Sequence, residues 1–139
     1  MKELNFDLGL NEYDLGGKVT VKFNPTDVSF LEKLSESFAT LDLIQEEVKL
    51  SREEISDEKD VYNLAKNLDT KMRDIIDALF GMDVCTPLFG EMNLFASAGG
   101  LPVWANLMLA IADEVQMCMQ GELEKRNDKI RKYTEKYHV

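Results

Sequence analysis

Apolar and polar residues alternate from the start of the chain, with Leu4, Phe6, Leu8 and Leu10 separated by Asn5, Asp7 and Gly9. A period of two sends successive side chains to opposite faces, so this segment predicts a strand with one covered face. Beyond Gly16-Gly17 a second alternation places Val19, Val21 and Phe23 on one side and Thr20 and Lys22 on the other. Two glycines between such runs supply a tight turn, and residues 1–23 are expected to form a β-hairpin. An isolated hairpin is marginal in water. Its apolar face must therefore rest on the rest of the chain or on another molecule.

The period changes after Asn24-Pro25-Thr26-Asp27, where Thr26 or Asp27 can accept from the unpaired amides of a first helical turn. Phe30, Leu31, Leu34, Phe38, Leu41, Ile44 and Val48 then follow at helical spacing. A polar stretch containing Ser56 separates this stripe from a second, Val61, Leu64, Ala65, Leu68, Met72, Ile75, Ile76, Leu79 and Phe80, which stops at Gly81. Helices are expected over 27–50 and 57–80, paired antiparallel. Thr86-Pro87 offers an N-cap with proline at the first helical position of a short helix, and Gly90, Gly99 and Gly100 mark a loop. Trp104, Leu107, Met108, Ile111, Val115, Met119 and Leu123 define a helix over 102–120. The expected core is Phe30, Leu34, Phe38, Leu64, Leu68, Ile75, Leu79, Leu107, Ile111 and Val115. The predicted fold class is mainly α with an N-terminal β-hairpin (α+β), a small bundle of three to four helices. One domain over 1–139 would comprise the hairpin, a helical core over 24–121 and a charged helical tail over 122–139.

Composition narrows the partners. The formal net charge of −10 disfavours nucleic acid and an anionic membrane surface, because phosphate binding needs clustered Lys and Arg. The longest apolar stretch, around Leu107–Ala112, is far shorter than the roughly 20 residues a spanning helix needs. The N-terminus also lacks the basic and apolar runs of a secretory signal. A cytoplasmic protein is expected. Charge is unevenly spread: Asp27–Asp60 holds eleven acids and four bases, whereas Glu122–His138 holds four acids and six bases. The tail could lie against the acidic helices, meet an acidic partner, or present a solvated face.

Candidate chemistry is sparse. His138 stands one residue from the C-terminus, a poor position for general-base work. Cys85 and Cys118 lack the spacing of a redox or zinc motif, and no phosphate loop, HExxH, GxSxG or EF-hand pattern occurs. The pairs Glu46-Glu47, Glu53-Glu54 and Asp57-Glu58 fall beside the apolar stripe, as solvated carboxylates do. No catalytic residue, metal or cofactor is expected. The methionines Met72, Met82, Met92, Met108, Met117 and Met119 suit either core filling or an adaptable binding groove.

The order of elements carries a resemblance. A short hairpin, Phe23-Asn24-Pro25-Thr26-Asp27 before a long helix, a second helix ending at Phe80-Gly81, Leu88-Phe89-Gly90-Glu91-Met92-Asn93, and a glycine-bounded last helix together resemble tail assembly chaperones of siphophages and prophages of Gram-positive bacteria. The resemblance implies a non-enzymatic protein of tail morphogenesis that binds the tape measure protein and recruits tail tube subunits, with frequent self-association. Alternatives of other classes are a structural tail or head–tail component and a cytosolic helical adaptor or regulatory binder.

The hairpin leaves open strand edges. Ile130, Tyr133 and Tyr137 form a stripe too narrow for a central helix but wide enough for a peripheral contact, and Trp104 is a residue type enriched at interface hot spots. Leu4, Phe6, Leu8, Trp104, Ile130, Tyr133 and Tyr137 are therefore the candidate contacts to a protein partner or a second copy.

Overall fold

The structure, a computed structural model, describes residues 1–137. It is mainly α with a small N-terminal hairpin. Strands β1 (Asn11–Leu15) and β2 (Val19–Phe23) pair antiparallel, with Tyr13 opposite Val21 and Leu15 opposite Val19. Gly16 and Gly17 turn the chain at φ 61° and 71°, and the Lys18 amide donates to the Leu15 carbonyl at 3.1 Å. Left-handed backbone at two successive positions is what a side chain with a Cβ resists, so the glycine pair fixes the turn.

The first strand is not where the alternation placed it. Residues 1–10 belong to no strand, and the arm carrying Leu4, Phe6 and Leu8 lies outside the hairpin. Its period of two is real but has no ladder to join, because β1 itself supplies the partner of β2. The inward residues of β1 are Tyr13 and Leu15, half-buried, and those of β2 are Val21 and Phe23, buried.

Helix α1 (Val28–Glu54) opens at Asp27, whose carboxylate accepts from the Ser29 amide at 3.0 Å. Helix α2 (Glu58–Phe80) opens at Asp57 in the same way, accepting from Lys59 at 3.0 Å, and ends at left-handed Gly81. Three residues join them, at the break expected near Ser56. The pair is antiparallel, since Phe30 at the start of α1 lies 6.4 Å from Phe80 at the end of α2. Phe23 stacks on Phe30 at 4.3 Å and on Tyr13 at 4.7 Å, so an aromatic column ties the hairpin to this end of the helix pair.

A short helix α3 (Cys85–Phe89) follows. Its cap differs from the expected one: Val84 precedes it, and Thr86-Pro87 lies inside its first turn rather than at its boundary. The orphan amides of Val84 and Cys85 donate to Asp77 Oδ1 of α2 at 2.9 and 3.0 Å, and Asp83 serves Thr86 at 3.1 Å. Where a plain loop was expected, Ser97–Ala98 (β3) and Leu101–Pro102 (β4) pair as a small second hairpin. Helix α4 (Val103–Tyr137) is continuous through Gly121, so the charged tail is an extension of the last core helix. Every side chain described from Glu122 onward is exposed. Among the described residues the tail therefore does not lie against the acidic helices of its own chain, and two of its ion pairs, Lys125–Glu122 and Arg131–Asp128, run along the helix.

The core is one cluster. Six expected members, Phe30, Leu34, Leu68, Leu79, Ile111 and Val115, are buried, and Phe38, Leu64, Ile75 and Leu107 pack half-buried against them. Met72, Met108 and Leu94 are fully enclosed as well, so two of the methionines fill core.

Candidate interaction surface

Among the seven candidate contacts, Trp104 is removed by the structure. It is 2% exposed, its indole Nε1 donates to Gln45 Oε1 at 2.8 Å, and its ring meets the edge of Phe38 at 5.6 Å. A tryptophan at the head of a helix reads as core somewhat more readily than as an interface anchor. Gln45, from the middle of α1, is what lets its polar atom be enclosed.

Leu4, Phe6 and Leu8 are exposed by 73, 76 and 61%, and Leu10 continues the row. A local device directs this arm. The Gly9 amide donates to Asp7 Oδ1 at 2.8 Å, while Asn24 Nδ2 donates to the Leu8 carbonyl at 2.8 Å. Asn24 is itself held because its Oδ1 accepts from both the amide and the hydroxyl of Thr26, at 2.8 and 2.9 Å. Gly9 has φ 68°, and a Cβ there would stand 2.7 Å from Asn24 Nδ2. Glycine is thus required twice over, for the backbone conformation and for the close approach. The sequence marks Asn24-Pro25 only as punctuation, since nothing local shows that Leu8 returns to it.

On α4 the exposed large apolar residues among those described are Leu109, Met117, Met119, Leu123 and Ile130. Tyr133 and Tyr137 lie on the same helix. Two open clefts lie where the arm, the base of the hairpin and α4 meet. One, of about 440 Å³, is bounded by Leu8, Gly9, Thr26, Cys118, Glu122 and Lys125. The other, of about 500 Å³, is bounded by Thr26, Met119, Glu122, Leu123 and Arg126. They share Thr26 and Glu122, and so form one surface. Leu8 and the middle of α4 are brought together there, whereas Ile130 lies further out on the projecting helix.

Beside this surface Tyr13, Glu114 and Cys118 form a small polar group. The Tyr13 hydroxyl donates to Glu114 Oε1 at 3.2 Å, and the Cys118 thiol donates to the same oxygen at 3.0 Å. Burial, chiefly, pushes the Tyr13 phenol up to about 12. The carboxylate that accepts from Cys118, with burial second, raises that thiol too. Cys85 is raised by burial first and by the adjoining Asp77. Nucleophilic cysteines need lowered pKa values, so both thiols are held in their unreactive form.

Among the described residues, no group of three His, Cys, Asp or Glu could hold a metal ion, and no helix is long and apolar enough to cross a membrane. His138 lies outside the described residues. The fold thus defines a mainly helical protein with a small hairpin and an exposed apolar surface at its arm and last helix. No family profile, curated protein or solved structure matches the chain.

Proposed function

We propose that this protein is a non-enzymatic chaperone of phage tail assembly, which holds an apolar segment of the tape measure protein and brings tail tube subunits to it. The observation that carries the reading is the row of exposed apolar side chains on the arm and α4, Leu4, Phe6, Leu8, Met119, Leu123 and Ile130, left over after the core is complete. Exposed apolar side chains of this kind suit reversible capture of an amphipathic helix, and methionine adapts to varied partners. The class of partner is proposed from the resemblance of the order of elements to that of tail assembly chaperones.

Co-expression with a tape measure protein encoded beside it tests the proposal. A soluble complex is expected, and it should be lost in an L123D/I130D or an L4D/F6D variant that still folds. Absence of a complex with both the tape measure and the tail tube protein would overturn the reading. Persistence of the protein in purified particles would make it a structural component instead.

A further inference from the structure

Two features of the chain are complementary and cannot satisfy each other within one molecule. The arm has the side-chain period of a strand, with Leu4, Phe6 and Leu8 on one face and Glu3, Asn5 and Asp7 on the other, yet residues 1–10 belong to no strand. The hairpin is a two-stranded sheet and so has two unpaired edges. The arm precedes β1 directly and is pinned at Leu8 by Asn24, just beyond the end of β2. Gly9 and Leu10 alone connect it to β1, whereas the far edge of β2 lies two strand spacings, about 10 Å, from β1. The arm leaves its own sheet rather than running along it.

Charge selects between the edges. The exposed face of β2 and its turn carries Lys18, Thr20 and Lys22, and that of β1 carries Glu12 and Asp14. Because side chains alternate with period two, an added arm brings Glu3 and Asp7 against Lys18 and Lys22 on the β2 side, whether it runs parallel or antiparallel. Against β1 the same carboxylates meet Glu12 and Asp14, and like charges opposite one another are destabilising. A shallow apolar cleft of about 140 Å³ flanks β1 at Leu15 and Ile111, but it does not relieve that repulsion. Apolar side chains from the helices lie close to the inner face of β2 and to the turn. Phe80 lies 6.1 Å from Phe23, and Leu88 of α3 is close enough that a Cβ on Gly16 would contact it at 3.7 Å; both are half-buried.

We propose that residues 3–8 of one copy add as a third strand to the β2 edge of a second copy, reciprocally, so that two arms close a symmetric dimer. Leu4, Phe6 and Leu8 then extend the apolar face made by Val19, Val21 and Phe23, and main-chain hydrogen bonds occupy the open edge. Reciprocal exchange closes on itself, and the same edge cannot then template a filament. The inference does not rest on the tail-assembly reading; in the dimer Leu4, Phe6 and Leu8 are covered, which leaves Met119, Leu123 and Ile130 of α4 exposed for a tape measure segment.

The full-length chain is tested by light scattering and sedimentation over a range of concentrations. The wild type is expected to dimerise. E3K/D7K reverses the arm and K18E/K22E reverses the edge; all four positions are exposed, so helical circular dichroism should be unchanged. Each variant alone should dimerise at least about tenfold more weakly, as two attractive pairs per arm become repulsive. Mixing the two variants restores both arm–edge contacts in trans, since each variant's arm is then opposite in charge to the other's edge, and dimer should reappear in the mixture. A monomeric wild type at every concentration would overturn the proposal, as would a dimer that survives in both variants or fails to reappear on mixing. Deletion of residues 1–8 supplies an independent variant, expected to be a folded monomer. A dimer there would likewise refute strand exchange.

Discussion

Asp77 is the residue whose removal most directly tests how the irregular segment after α2 is held. Its Oδ1 accepts from the amides of Val84 and Cys85, both fully buried residues, at 2.9 and 3.0 Å. Helix α3 is only five residues long and has no side-chain cap of its own at Val84, so this borrowed carboxylate serves in its place. Asp77→Ala leaves two enclosed amides without an acceptor. An unpaired buried amide costs about 1–3 kcal/mol, and the loss for two is about 2–6 kcal/mol. For a chain of this size that corresponds to a fall in Tm on the order of 10 °C. Asp77→Asn keeps an oxygen at the same place and should lose about half as much. Urea unfolding followed by circular dichroism measures the stability. A thiol reagent applied under native conditions measures local opening, because the Cys85 thiol is enclosed in the wild type and should be labelled faster in Asp77→Ala. An Asp77→Ala protein within about 0.5 kcal/mol of wild type, with Cys85 still protected, would show that the carboxylate does not hold α3.

Two further outcomes follow from the hairpin and arm. Tyr13 has a folded pKa of about 12 against an ordinary 10.0, so the stability it contributes is complete below pH 10 and is lost as pH rises through about 12. Tyr13→Phe should flatten that alkaline limb of the urea midpoint relative to wild type, both cysteines being present in each protein; an unchanged limb would contradict the assignment. Gly9→Ala forces a side chain into a left-handed position that costs about 1–2 kcal/mol and against Asn24 Nδ2. The arm should then release from Asn24 and be cleaved faster by protease while the helices melt near the wild-type temperature. Unchanged cleavage would mean that Asn24 does not pin the arm.

The sequence by itself determined the elements whose signals are local. Hydrophobic spacing along Phe30–Val48 and Val61–Phe80 defines two helices because burial of one face is a property of the spacing alone. The cap at Thr26 or Asp27 and the stop at Gly81 were legible because a cap needs only its own turn of helix, whereas the structure chose Asp27 and added Asp57 as the cap of α2. The glycine pair and the alternation at Val19–Phe23 likewise suffice for the turn and for β2. Tertiary structure decided what depends on distant partners. The alternation at Leu4–Leu10 is as regular as that of β2, but strand formation needs a neighbouring edge, and in this chain β1 takes the place beside β2. Trp104 became core because Gln45 and Phe38 from α1 enclose it. Asp69, with Oδ1 accepting from the Leu94 amide at 2.7 Å and Oδ2 from Arg73 Nε at 2.9 Å, reads in the sequence as one more surface acid. Arg73 in turn reaches the carbonyls of Gly90 and Met92 at 2.8 and 2.7 Å. Charged residues on α2 thereby organise the segment that the glycines and proline had marked only as irregular. In the candidate surface, Leu4, Phe6, Leu8 and Ile130 were legible as apolar positions without local cover. Asn24, Gly9 and the clefts beside Met119 and Leu123 were not, since they exist only where the arm, the hairpin base and α4 converge in space.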